Sequence, residues 1–193
     1  MKFFYVAACL VPSLVLSVNL NAQSESHEED SHSFLQLSHV TEYEAAEDIR
    51  LNGISLLGRY DLAEKSFLRA EIERVSGSGI EEKAAEIALA YILNPHNTVE
   101  LHIAGLYSYG NEKENGFSQS SNTYGAEIGF HAATTEHLTL HGELAWLDET
   151  GGSVVGAELG AFYRLTEHFG LNAEYARDEN SNDAIEVGVR VSF

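Results

Sequence analysis

The residues able to do chemistry in this chain are acids, a few arginines and several histidines, and they recur at even spacing. Glu71, Glu73, Glu86, Glu100, Glu127, Glu143, Glu158, Glu174 and Glu186 each sit in a run of alternating apolar and polar residues. Arg59, Arg69, Arg164 and Arg190 hold equivalent places, as do His102, His131 and His141. Such groups can pair as ions, hold cations, or act as general acids and bases. The last use needs a nucleophile or water-activating set gathered at one place. Glu112, Glu114, Asp148, Glu149, Asp178, Glu179 and Asp183 fall between the alternating runs, and none has a histidine next to it. Ser120 and Ser121 stand in a polar stretch with no partner nearby in sequence. The chain is therefore expected not to be an enzyme, and no catalytic residue is assigned.

The elements that position these residues are strands. Ten segments of period-two alternation are separated by turn chemistry. They are 33–44, 49–60, 66–75, 83–93, 98–109, 122–131, 137–147, 153–165, 169–176 and the terminal AIEVGVRVSF. The first alternates poorly, with His39 and Thr41 on its apolar side, so eight strands is the alternative to ten. The connections alternate between short turns (DLAEK, NPHN, ATTE, TEH) and longer polar ones (SGSGIEE, GNEKENGFSQSS, DETGG, RDENSND).

Parity separates two faces. One carries Ile54, Leu56, Ile87, Leu89, Leu101, Ile103, Ile128, Leu140, Leu144, Leu159 and Leu171, with almost no charge. The opposite face carries the acids listed above, at least one Glu on every strand from the third onward. Aromatic residues end the apolar faces at both edges. Tyr60, Tyr91, Phe130, Tyr163 and Phe193 lie toward the short turns, and Tyr107, Trp146 and Tyr175 toward the longer ones. Two aromatic girdles around an apolar stripe are what a lipid bilayer demands of a sheet facing it. In hydrocarbon every backbone polar group must be paired, so such a sheet has to close into a barrel. The predicted fold is all-β: a closed, antiparallel, up-and-down transmembrane β-barrel over 33–193, with its charges inside.

Composition agrees. Thirty Asp and Glu face eleven Lys and Arg, a formal net charge of −19. That excludes nucleic acid as a partner, which needs clustered cations. Residues 1–22 read as a signal peptide: Lys2, an apolar run, then a small residue at a cut after Ala22. The only cysteine, Cys9, lies within it, so the exported chain holds no disulfide. Residues 23–32, QSESHEEDSH, read as an acidic disordered leader. Its His27, His32, Glu28, Glu29 and Asp30 form only a weak metal-collecting tract.

The pattern resembles small single-chain bacterial outer-membrane β-barrel proteins, of the OmpA/OmpX-like or opacity-like kind. The resemblance covers 33–193 and is most specific at IEVGVRVSF, which is similar to the C-terminal assembly signal of that group. It implies outer-membrane lipid as the surroundings. It also implies periplasmic chaperones and the barrel-assembly machinery as partners during biogenesis, with Val187, Val189, Val191 and Phe193 as the recognised positions. On this reading the protein is a structural or narrow-pore barrel. Its acid-rich lumen, with nine inward Glu against four inward Arg, draws small cations. No cofactor and no metal centre are expected. The alternatives are a surface-interaction barrel presenting a loop over 110–121 and, after it, an outer-membrane enzyme.

Overall fold

A computed structural model describes residues 33–193 apart from 47, 95–97, 150 and 151. The expected signal peptide and acidic leader lie outside the described residues. Ten strands follow in order: β1 (Phe34–Glu44), β2 (Ile49–Ala63), β3 (Ser66–Gly77), β4 (Ile80–Ile92), β5 (Val99–Glu114), β6 (Phe117–Ala133), β7 (Leu138–Glu149), β8 (Gly152–Arg164), β9 (Phe169–Asp178) and β10 (Asp183–Ser192). Each pairs antiparallel with the next, and β1 pairs with β10, so the sheet closes into a barrel. The eight-strand alternative falls, because β1 is fully paired on both sides despite its poor alternation. At the seam Leu35 faces Val191 and Leu37 faces Val189, and the Phe193 amide donates to the Ser33 carbonyl at 3.1 Å.

The strands run longer than their alternation suggests. GNEKENGFSQSS is not a loop. β5 and β6 continue through it and turn at Asn115-Gly116, whose φ values are 49° and 87°. Both lie in the left-handed region of a type I′ hairpin turn, for which Asn-Gly is the favoured pair. SGSGIEE likewise reduces to a two-residue turn at Ser78-Gly79, with φ of 53° and 87°. The polar residues around these turns are strand residues with water on both faces, so their hydrophobic alternation disappears.

The apolar face is outside. Ile54, Ile72, Leu89, Ile103, Ile128, Leu144, Leu159 and Val187 are all exposed. So are Tyr60, Tyr91, Tyr107, Trp146, Tyr163, Tyr175 and Phe193, together with Val189 and Val191. Phe130 is half-buried instead. Its ring lies over Gly142 of the neighbouring strand, where a Cβ would come within 2.7 Å of it. At the edge where the longer turns were expected, tyrosine hydroxyls reach polar groups: Tyr107 to Asn122 at 2.7 Å, Tyr109 to Ser120 at 3.0 Å and Tyr175 to Asp183 at 2.6 Å. A ring in the apolar band with its hydroxyl beyond the edge suits the boundary between lipid and water.

Candidate functional site

The interior is a belt of buried charge held between apolar caps. On the inward faces directly opposed residues often carry the same charge. Arg59 faces Arg69, Glu71 faces Glu86, Glu143 faces Glu158, and Glu174 faces Glu186. Like charges opposed across a ladder repel, so each needs a partner other than the residue it directly faces.

Arg69 supplies the main brace. Its guanidinium reaches Glu86 of β4 at 3.0 Å, Glu127 of β6 at 2.8 Å and Glu143 of β7 at 3.4 Å. Arg69 is 1% exposed. A buried ion cluster of this kind survives because each charge has several partners; removing one leaves the others uncompensated.

Arg59 and Arg190 work differently. Arg59 lies over the Phe67 ring at 3.9 Å and pairs with Asp61 at 2.8 Å. Arg190 lies between Phe34 and Phe162, at 3.9 and 4.6 Å, and donates to Gln36. These stacked cations rest on two apolar groups at the short-turn end: Phe67 with Ala90, Ile92 and Ala104, and Phe34 with Leu57 and Phe162. Toward the other end Val40, Leu51, Val75 and Ile80 form a third group, and Ala88, Leu106, Ala145 and Leu147 a fourth. The acid-rich lumen thus also holds inward-facing apolar residues that the charge pattern alone did not reveal.

The histidines form a row beside the brace. Phe67, His102, His131 and His141 follow one another with ring centroids 5.9, 5.4 and 6.0 Å apart. His102 and His131 have no exposed surface, and His141 is 1% exposed. The His141 Nε2 stands 3.6 Å from Glu158 and 3.5 Å from Glu174. Glu174 in turn accepts from Gln36 at 3.4 Å and from Asn172. Glu71 accepts from Ser55.

The structure therefore brings together Arg69, Glu86, Glu127 and Glu143. It also gathers His141, Glu158 and Glu174, and sets Glu71 near Glu73 and Glu186. Glu100 is buried and faces His131 across the β5–β6 ladder. Arg164 lies half-buried in the last position of β8. Near the β3–β4 and β5–β6 hairpins, Glu42, Glu73, Glu82 and Glu112 line a cleft with Lys83, Asn111 and Gln119.

No family model and no curated protein matches this sequence. Its structure is similar to solved outer-membrane barrels. The KdgM porin is 13% identical, with 82% of this chain and 99% of that one covered and a TM-score of 0.49. The NanC porin is 11% identical, with 81% and 100% covered, at 0.49. The Neisserial surface protein A is 12% identical, with 83% and 95% covered, at 0.43. Likeness at this level transfers no role between proteins. The fold rests on the strand pairing of this chain itself, and any function on its own side chains.

Sequence reasoning missed one feature of the site. The hairpin that contains Glu127 and Glu143 is repeated in the one that contains Glu158 and Glu174. Gly125-Ala126-Glu127-Ile128-Gly129 matches Gly156-Ala157-Glu158-Leu159-Gly160, and Thr135-Glu136-His137 matches Thr166-Glu167-His168. Aligning the two hairpins residue by residue would have found it.

Proposed function

We propose that this chain is an integral outer-membrane β-barrel of structural type, whose charged interior seals the barrel and braces its wall. The observation that carries this reading is Arg69. From β3 it contacts carboxylates on β4, β6 and β7, and so ties distant strands across the axis. Beside it the histidine row and the stacked arginines are almost completely buried, which supports a filled interior. Barrels of about eight strands are filled by their own side chains and those of sixteen or more hold a water-filled channel, so ten strands lie nearer the filled end.

Outer-membrane placement is supported by the exposed apolar band between two aromatic edges and by the closed sheet, which leaves no unpaired edge in hydrocarbon. Outer-membrane lipid is then the constant partner. Val187, Val189, Val191 and Phe193, all on the outward side of β10 or just beyond it, are the positions offered to the assembly machinery.

Two measurements test the proposal. The protein should fractionate with outer membranes and migrate differently on gels before and after heating. In planar bilayers the purified barrel should give no stepwise conductance. Reproducible cation-selective steps would replace the sealed barrel with a narrow pore.

A further inference from the structure

Acids from several strands converge where the barrel interior opens toward the β3–β4 and β5–β6 hairpins. Glu42 of β1, Glu73 of β3 and Glu82 of β4 line the cleft there, with Asn111, Gln119 and Ser121. Glu73 also belongs to a deeper group: single carboxylate oxygens of Glu71, Glu73 and Glu186 lie within 4.8 Å of one another. Glu71 and Glu186 are buried and Glu73 is partly exposed. Glu73 therefore joins the open cleft to two acids that water reaches poorly.

The sheet sets no cation opposite these acids. Glu42 faces Leu51 and Ala184, Glu73 faces Ser55 and Ala84, and Glu186 faces Val40 and Glu174. The charges that act most strongly on Glu73 are those of Glu42, Glu71, Glu186 and Glu82. On Glu186 they are those of Glu71, Glu174 and Glu42. Arg69 acts on Glu71, while its guanidinium contacts Glu86, Glu127 and Glu143. Lys83 borders the cleft, but its ammonium is 2.9 Å from Glu81. Glu186 is 6% exposed. Ser38 donates to it, yet its Oε2 has no hydrogen-bond partner among the described residues. A carboxylate oxygen buried in that state is costly until a donor or a cation stands against it.

We infer that this group binds one Ca²⁺ ion through Glu71, Glu73 and Glu186, with Glu42 adding its charge from the cleft side. The donors are all oxygens, which suits a hard cation and not a softer transition metal. Bonds of about 2.4 Å set oxygens on opposite sides of a calcium ion about 4.8 Å apart. The three carboxylates are therefore spread no wider than one such ion can span. Calcium takes about six to eight oxygens. Second carboxylate oxygens and water entering by the cleft supply the remainder. Ser55, which donates to Glu71, and Ser38 hold two of the ligands in place. The sequence alone pointed to no metal centre, because the ligands come from β3 and β10, which share no ladder.

The inference goes beyond the sealing role, since bound calcium is counted on the folded barrel whether or not it conducts. The full-length protein is folded in detergent without calcium and dialysed to equilibrium against calcium chloride. Sodium chloride at about 0.15 M screens loosely held charge. Folding is checked by heat-modifiable migration. One calcium ion per chain is expected, half-saturated at about 0.1–1 mM or below. Affinity should fall at least about tenfold in Glu73→Gln and in Glu186→Gln, because each removes a charged ligand. It should hold in Glu114→Gln, an exposed acid at the tip of the β5–β6 hairpin. Calcium should also raise the urea midpoint of the unsubstituted protein, because the ligands are gathered only in the closed barrel. That reading needs no variant to fold. Folded wild-type protein that holds no calcium at millimolar concentration overturns the inference. Equal affinity in wild type and Glu73→Gln does the same.

Discussion

His141 faces Gly160 across the β7–β8 ladder, and its imidazole fills the place where a side chain at 160 would begin. Gly160→Ala should therefore displace the ring from Glu158 and Glu174. Overpacking of this kind costs about 1–3 kcal/mol. Urea unfolding of the barrel in detergent should show the loss. Gly58→Ala is the control: a Cβ there meets only the Ala70 carbonyl oxygen at 3.9 Å, and stability should hardly change.

Arg69→Met should be among the most damaging single changes in the interior. It leaves Glu86, Glu127 and Glu143 without their shared cation, which by analogy with other buried pairs costs about 3–5 kcal/mol. Adding Glu127→Gln to Arg69→Met should recover part of that loss, because the two residues are in contact and their effects are coupled. Strictly additive losses in the double variant would show that the pair contributes nothing to holding the wall.

Ile128 stands between Tyr124 and Phe130 on the outward face of β6, opposite Ile103 and Leu144. If this band meets hydrocarbon, Ile128→Arg should lower folding stability in lipid vesicles by about 2–4 kcal/mol. Ile128→Leu should leave it unchanged. Equal stability of the arginine and leucine variants would remove the lipid-facing assignment.

Gly116→Val tests the hairpin that replaces the expected loop. A β-branched residue forced to a φ of 87° should cost about 1–2 kcal/mol. A flexible loop would absorb the same change with no measurable effect on unfolding.

The outward faces were readable because every apolar residue on them meets the same environment. Leu140 and Leu171 can be assigned from parity without knowing their neighbours. The inward acids were readable for the same reason. Two things were not. Residues such as Asn111 and Ser118 are polar because their part of the hairpin projects beyond the apolar band, and polar strand residues then look like a loop. Within the barrel, Phe34, Leu57, Phe67 and Phe162 share the inward face with arginines. Their role as caps depends on which strands meet across the axis, and a pattern read one strand at a time does not contain that. The pairing of His141 with Glu158 and Glu174 is hidden likewise, although the matching hairpins that create it are visible in the chain.

The seam between β1 and β10 has a kinetic consequence. Gln36 and Arg190, which clasp one another inside it, are 154 residues apart in sequence. Neighbouring hairpins can zip locally, but this contact brings distant segments together and bears the loop-closure entropy of nearly the whole barrel. Ring formation is therefore the slow, late event, and until it happens the growing sheet keeps two raw margins that a helper or a neighbouring chain can occupy.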